Sequence, residues 1–155
     1  MKNDWDRSRD DGNLNSLFKQ KYSVVSRQVE FPEGVVLKNS AGLLFDRSML
    51  GELCPAVAWA VAGNLVATVF PERRCVSLFS ESSWKELRQI LNKVPRDTSE
   101  QRTLRRLALG FETYIPKSDP MILTVTLESY AGLTGNDFLV VQSSDYMELW
   151  AKDKL

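Results

Sequence analysis

The segment 67–95, ATVFPERRCVSLFSESSWKELRQILNKVP, decides the fold class, because its hydrophobic pattern changes from that of strands to that of a helix. Apolar and β-branched residues on either side of PERR (71–74) predict two strands joined by a turn. A helix is predicted directly after them, over 82–94, because its apolar residues recur on one face. These residues are Trp84, Leu87, Leu91 and Val94. Strands and helices in one short chain are typical of an α+β fold.

Polar residues and prolines predict where the helices begin and end. Ser83 with Glu86 fits a capping box, and Ser80 is a second candidate N-cap for the first helix. Pro95 ends that helix, because proline cannot continue it. A second helix is predicted to start near Thr98. Its apolar stripe is formed by Leu104, Leu107 and Ala108.

The second predicted helix also has a basic face, formed by Arg102, Arg105 and Arg106. Two interpretations remain open for it: contact with DNA phosphates, or an ordinary solvated face. The whole chain has 20 Lys and Arg against 20 Asp and Glu. Residues 81–106 hold seven basic against four acidic residues, whereas residues 107–155 hold three against seven. The last third is therefore expected to repel phosphate.

Further strands are predicted in both halves of the chain. GVVLKNSAGLLF (34–45) predicts two short strands around a turn. In the last third, ETYI, MILTVTL, FLVVQ and YMELW predict strands, and ESYAGL predicts a short turn of helix. The segments 36–50 and 114–128 align with each other, as do 68–79 and 140–150. Such repetition predicts two units that bury each other's apolar faces.

These patterns predict a four-part organisation. A polar N-terminal extension occupies residues 1–22 and is expected to be mobile or to become ordered on a partner. A first module occupies 23–80, a helical segment 81–108 and a second module 109–155. Within the first module, ELCPAVAWAVA (52–62) fits either a helix or a buried strand.

Composition argues against several classes of function. The chain has no histidine, which removes the commonest general base and metal ligand. Cys54 and Cys75 lack a metal or redox spacing and are expected to be buried thiols. We therefore expect no enzymatic activity, cofactor, metal or small-molecule substrate. No segment has the pattern of a membrane span or a signal peptide, so we expect a cytoplasmic protein, in part associated with the nucleoid.

The segment 67–95 resembles the hairpin, Trp-bearing helix and proline stop of the MraZ family, which are bacterial transcriptional regulators with two tandem AbrB-like modules. RTLRRLALG (102–110), followed by YAGL, FLVV and MELW, also occurs in the family's order and spacing. The resemblance covers about residues 29–155. It implies two tandem swapped-hairpin β-barrel modules with helices between them. It also implies binding to double-stranded DNA, a ring-like or otherwise closed homo-oligomer, and action on the cell-division and cell-wall gene cluster.

The family's Asp-x-x-x-Arg signature is missing from both modules. Its Asp, Gly and Arg fall on Lys38, Ala41 and Gly42 in the first module, and its later proline falls on Asp46. In the second module the corresponding positions are Pro116, Asp119, Pro120 and Thr124. Neither glycine nor proline can supply the two-point hydrogen bonding of an arginine.

Four polar residues near these positions remain as candidate DNA contacts: Lys38, Asn39, Arg47 and Lys117. They could contact phosphate but would carry little base specificity. Two hypotheses follow. In the first, the chain is an MraZ-like DNA-associated transcriptional regulator with degenerate DNA-binding residues. In the second, it is an oligomeric interaction scaffold that has lost DNA binding. An antitoxin-like or other AbrB-type role is a third, weaker alternative.

Overall fold

The computed structural model describes residues 27–30, 36–53, 62–117, 121–133, 138–142 and 146–152. Its strands are β1 (Arg27–Glu30), β2 (Val36–Asn39), β3 (Gly42–Phe45), β4 (Leu65–Phe70), β5 (Arg73–Ser80), β6 (Thr113–Ile115), β7 (Met121–Thr124), β8 (Phe138–Gln142) and β9 (Tyr146–Ala151). Its helices are α1 (Arg47–Leu53), α2 (Glu81–Asn92), α3 (Ser99–Gly110) and α4 (Val125–Ala131). The predicted extension 1–22, and Cys54, lie outside the described residues.

The strands form two antiparallel sheets. Six strands pair in the order β1-β8-β9-β5-β4-β6, and three pair in the order β2-β3-β7. The predicted mixture of helices and antiparallel strands is confirmed. The prediction of β-barrels is wrong for the described residues, because both of these sheets have two unpaired edge strands and neither closes on itself.

Both sheets take strands from both halves of the chain. The first strand of the first half, β1, pairs with β8 of the second half, and β6 of the second half pairs with β4 of the first. The hairpins β4–β5 and β8–β9 meet through β5 and β9 at the middle of the larger sheet. Because this pairing interleaves the halves, they share one core. The residue bounds of the two predicted modules stay a prediction.

The repeat is less regular than the sequence alignment suggests. Residues 31–41 separate β1 from β3, whereas only residues 116–120 separate β6 from β7. The longer connection contains β2, which pairs with β3 at the edge of the smaller sheet. In the larger sheet, β1 pairs with the hairpin β8–β9 of the second half, and β6 pairs with the hairpin β4–β5 of the first half. The strand β6 is therefore the counterpart of β1. The expected alignment of 36–50 with 114–128, which matches β6 to β2, is therefore wrong at that strand.

The larger sheet is covered on both faces. One face packs on the smaller sheet and α4 through a buried cluster that includes Leu65, Leu78, Val140 and Leu149 from the larger sheet and Phe45, Met121, Leu123 and Leu127 opposite them. The other face packs on α2 and α3 through Phe70, Phe79 and Tyr146. The predicted burial of Trp84, Leu87 and Leu91 is confirmed.

The helix ends follow local hydrogen bonding. The N-cap of α2 is Ser80, whose side chain accepts from the backbone N–H of Ser83, so the predicted box of Ser83 and Glu86 is wrong. The capping box of α3, formed by Thr98 and Gln101, is present with both of its hydrogen bonds, which confirms the predicted start of that helix.

Two helices begin where the sequence pattern does not predict them. The helix α1 starts at Arg47, directly after β3, and α4 starts at Val125, inside the segment MILTVTL. The strand predicted over that segment is therefore wrong beyond Thr124. Its β-branched residues favour a strand locally, but tertiary packing of Leu127 and Ala131 favours the helix.

A buried ion pair joins the two halves where β5 meets β9. Two nitrogens of Arg73 donate to the carboxylate of Glu148, with Nε to Oε2 at 2.7 Å and Nη2 to Oε1 at 2.6 Å. Burial, and then the charge of Glu148, raises the pKa of Tyr146 to about 12. The same two causes raise the pKa of the buried Cys75 thiol well above its ordinary value. The thiol is free, as predicted, and is held in its protonated form, which is the unreactive form.

Candidate nucleic-acid interface

Two connections that lead into strands of the smaller sheet hold most of the predicted DNA contacts. We call residues 38–42, which join β2 to β3, the first tip, and residues 116–120, which join β6 to β7, the second tip. The structure describes all of the first tip but only residues 116 and 117 of the second.

The first tip combines a local turn with an ion pair to the other half of the chain. The Oδ1 atom of Asn39 accepts the backbone N–H of Ala41 at 2.8 Å, which shapes the turn. The ammonium of Lys38 lies 2.7 Å from Oε1 of Glu128 in α4. The Lys38 side chain is 57% exposed, whereas Glu128 is buried. Lys38 is thus accessible to a phosphate, but part of its charge is already balanced.

Arg47 lies inside the protein, not at its surface. Its side chain is 4% exposed. Nη1 donates to the carbonyl of Gly63 and Nη2 to the carbonyl of Pro116, both at 2.8 Å. The guanidinium therefore connects the start of α1 to the second tip. In this conformation a DNA phosphate cannot reach it, so its predicted role as a phosphate contact is not carried forward.

The second tip is held by hydrogen bonds from Arg47 and to Asn64. Besides the hydrogen bond from Arg47, the backbone N–H of Lys117 donates to Oδ1 of Asn64 at 2.6 Å. Asn64 is itself fixed, because its Nδ2 donates to Glu81 at the start of α2. The Lys117 residue is exposed. It is therefore accessible to a phosphate, and its backbone position is well defined.

The structure does not bring Lys38 and Lys117 together. In the pairing of β3 with β7, Gly42 lies opposite Thr124 and Phe45 lies opposite Met121. The strands are antiparallel, so the first tip precedes one end of this pair and the second tip precedes the other. Ends of a four-residue strand are roughly 10 Å apart. The candidate contacts thus form two separate, sparsely charged points.

Comparison with known proteins gives a consistent result. No family model matches the chain. Proteins named Transcriptional regulator MraZ from Coxiella burnetii and Pseudoalteromonas atlantica are each 31% identical to it, over 94 and 90 residues. The one from Marinomonas is 27% identical over 93 residues. The chain is thus similar to proteins named as MraZ transcriptional regulators. The matched regions are 57–59% of this chain and 59–61% of those relatives, so the chain spans about three fifths of their length.

Given this similarity, the residue at position 42 is informative. By the resemblance, this position belongs to the DNA-reading arginine. Here the φ angle of Gly42 is +141°, and a Cβ placed on it would lie 2.0 Å from the carbonyl oxygen of Leu123. Any side chain would therefore collide with the backbone of β7. The close pairing of β3 with β7 leaves no space for an arginine side chain at residue 42. Substituting this residue alone therefore cannot restore the signature arginine.

A further basic surface lies outside both tips, on α3 and the connection that precedes it. Four arginines, with Leu109 and Gly110, line an open groove of about 510 Å³ between the ends of α2 and α3. We call it the arginine groove. Its arginines are Arg96, Arg102, Arg105 and Arg106. The helical pattern indicated the last three, whereas Arg96 was missed because it lies in the connection between the helices, where periodicity gives no signal.

No group of three or more His, Cys, Asp or Glu in the described residues is arranged to hold a metal ion. None of the helices in the described ranges has the length and apolar character needed to cross a bilayer.

Proposed function

We propose that this protein is a transcriptional regulator that binds double-stranded DNA weakly, with little discrimination between sequences, and acts on the cell-division and cell-wall gene cluster. The observation that carries the proposal is the similarity to several proteins named as MraZ transcriptional regulators. On this proposal the protein works in the cytoplasm, partly on the nucleoid, and is not an enzyme.

Exposed cations at the tips support weak and unspecific binding. Lys38 and Lys117 present ammonium groups, and Asn39 keeps its amide donors available beside Lys38. An ammonium binds phosphate as a point charge and reads no base edge. Because one subunit offers few such contacts at separate points, useful affinity requires several subunits on one duplex.

An apolar row on the smaller sheet supports a proposal of self-association. Leu37, Leu44 and Ile122 lie side by side across β2, β3 and β7. Leu37 is 63% exposed and Ile122 is 42% exposed, so the row faces away from the core. Contiguous exposed apolar surface is costly in water and typical of a protein–protein contact. We propose that a second copy of this chain covers the row within a closed homo-oligomer.

The interleaved strands support one further proposal. Since β1 pairs with β8 and β6 with β4, each half completes the sheet of the other. We propose that this arrangement is a tandem pair of swapped hairpins, in which residues 23–80 and 109–155 are the two modules and α2 and α3 lie between them.

The test of DNA binding is a titration with two fluorescent duplexes, one from the gene's own promoter and one with the same bases in scrambled order. We expect both to bind in 50 mM salt with similar affinity, and both to bind much more weakly in 200 mM salt. A promoter bound at least a hundredfold more tightly than its scrambled form would contradict unspecific binding. No binding to either duplex would contradict DNA association altogether.

The assembly is tested by light scattering on the double variant L37K/I122K. The wild type is expected to give a mass several times 17.6 kDa and the variant a mass near 17.6 kDa. The control is Tyr114→Lys, which places one lysine at an exposed aromatic side chain outside the row. It is expected to leave the oligomer intact. A wild-type monomer at micromolar concentration would contradict the proposal.

The alternative function is an interaction scaffold that has lost DNA binding. It is favoured by Gly42, because the backbone there has no room for the family's arginine. An oligomer that binds neither duplex at low salt would select it over DNA-dependent regulation.

A further inference from the structure

The arginine groove has an unusual concentration of one charge. Three of its arginines lie on α3 at positions 102, 105 and 106, so they project from neighbouring turns of one helix face. Arg96 adds a fourth from the connection between α2 and α3. The groove is open to solvent, and its apolar lining is limited to Leu109 among the named residues. Its shape and charge therefore suit an extended anion more than an apolar ligand.

Two of these guanidinium groups are held in place by the backbone. Nη1 of Arg105 donates to the carbonyls of Leu91 and Val94, at 2.6 and 3.4 Å. Nη1 of Arg102 donates to the carbonyls of residues 96 and 97, at 3.0 and 3.3 Å. A guanidinium has five N–H donors, so each group retains donors for a ligand. Fixing the side chains in advance lowers the entropy lost on binding.

The positive charge is not balanced within the described residues. The ion pairs there involve Lys38, Arg73 and Arg88, and none involves an arginine of the groove. Carbonyls at the end of α2 carry partial negative charge and partly compensate Arg105. A net positive charge remains, because the four arginines of segment 96–110 outnumber its two acidic residues, Asp97 and Glu100. An anion that entered the groove would relieve this mutual repulsion.

We propose that the arginine groove binds phosphate groups, and that their source is the backbone of double-stranded DNA. The assignment of the source rests on the proposed function. The groove then supplies contacts that the two tips, with one exposed lysine each, do not. Binding is independent of sequence, since arginines on a solvent-open helix surface that contact phosphates read no base edges.

The experiment measures anisotropy of a labelled scrambled duplex over a series of salt concentrations. The test variant is R102Q/R106Q, which removes two exposed guanidinium groups and spares Arg105, the residue that binds the end of α2. The control variant K85Q/R88Q removes two charges from exposed positions on α2 that line a different concavity. Circular dichroism checks that both variants fold.

We expect R102Q/R106Q to weaken binding about tenfold or more at low salt, and to reduce the slope of log affinity against log salt by about 2, or one per phosphate contact. The control is expected to change affinity by about twofold at most. If R102Q/R106Q binds like the wild type, the groove is not a DNA contact, although the proposed function stands. Equal weakening in both double variants would also overturn the proposal, because it would show only the effect of net charge.

A second titration separates failure of the groove from failure of the proposed function. Pyrophosphate is added to the wild-type protein, and the Nε–Hε resonances of the arginines are followed by NMR. If no duplex binds but pyrophosphate shifts the resonances of Arg102 and Arg106, the groove is a phosphate site and DNA is the wrong source. If neither ligand binds, both the groove and the proposed function are wrong.

Discussion

The first tip and the second tip are fixed by opposite arrangements of charge. At the first tip an exposed cation, Lys38, reaches a buried carboxylate, Glu128. At the second tip a buried cation, Arg47, reaches a backbone carbonyl, that of Pro116. In both, a residue of one half of the chain holds the tip of the other half. The difference shows that a basic residue near a turn can either lie at the surface or be buried and hold two segments together. The location of its hydrogen-bond or ion-pair partner determines which of the two occurs.

The largest effect is expected at Gly42, where the first tip enters β3. Replacement by alanine should lower the free energy of unfolding by about 3 kcal/mol or more, because the φ angle of +141° is strained for alanine and the new Cβ would overlap the carbonyl of Leu123. Urea unfolding followed by circular dichroism measures the loss. The control is Gly110→Ala, where a Cβ would meet nothing within 4 Å.

That control should be neutral or stabilise α3 by up to about 1 kcal/mol, because alanine favours helix more than glycine does. Equal stability of the two variants would show that β3 and β7 do not approach as closely as the structure has them.

The next largest effect is expected at the second tip. Arg47→Met removes two hydrogen bonds from a charged donor and should cost about 2–3 kcal/mol of unfolding free energy. The matched control Arg106→Met removes an arginine at an exposed position and should change stability by less than about 0.5 kcal/mol. Unfolding curves of the two proteins give the comparison. A loss at Arg47 no larger than that at Arg106 would place its guanidinium in solvent and return it to the set of candidate DNA contacts.

A smaller loss of stability is expected at the first tip. Lys38→Met should cost about 1–2 kcal/mol, because it leaves the buried Glu128 without its cation, while the solvent near the exposed Lys38 limits the strength of the pair. Adding Glu128→Gln should recover much of that loss, since the buried charge is then gone. A double-mutant cycle measures this coupling. Additive losses would mean that the ion pair does not form in solution.

The smallest effect concerns DNA affinity at the two tips. Lys38→Gln and Lys117→Gln should each reduce the slope of log affinity against log salt by about 1. Glu128→Gln should strengthen binding severalfold, because it removes a negative charge and frees Lys38 for phosphate. Anisotropy titrations at several salt concentrations test all three. If none of them changes the salt slope while R102Q/R106Q does, the arginine groove alone contacts the duplex.

The spacing of hydrophobic residues predicted the hairpin β4–β5 and the helix α2. Trp84, Leu87 and Leu91 recur on one helix face, and the alternating residues around the turn 71–74 gave both strands of a hairpin. The turn itself has Pro71 followed by Glu72 at a φ angle of 65°, which fits the left-handed position of a tight turn. These elements can be predicted from the sequence because their local conformational preferences agree with their tertiary surroundings. At the start of α4, residues 125–127, local preference and packing disagree and the pattern predicted a strand, whereas residues 128–131 were predicted as helix.

The candidate site was less accessible to sequence reasoning. The four predicted contacts lie near the signature positions in the alignment. In the structure, however, Arg47 is buried, and Lys38 and Lys117 lie near opposite ends of the β3–β7 pair. Burial of a long cationic side chain depends on carbonyls that are distant in sequence, here those of residues 63 and 116. No local pattern contains that information.

By itself the sequence determined the kind and order of most elements, though not α1 or the start of α4, and the resemblance to MraZ. These depend on residue spacing and local conformational preference. Only the tertiary structure decided which half each strand completes, which cations reach solvent and why residue 42 must be glycine. Those outcomes depend on contacts between residues far apart in the chain. The backbone of β7 lies against Gly42, and that close approach leaves no room in the first half of the chain for the arginine of the family signature.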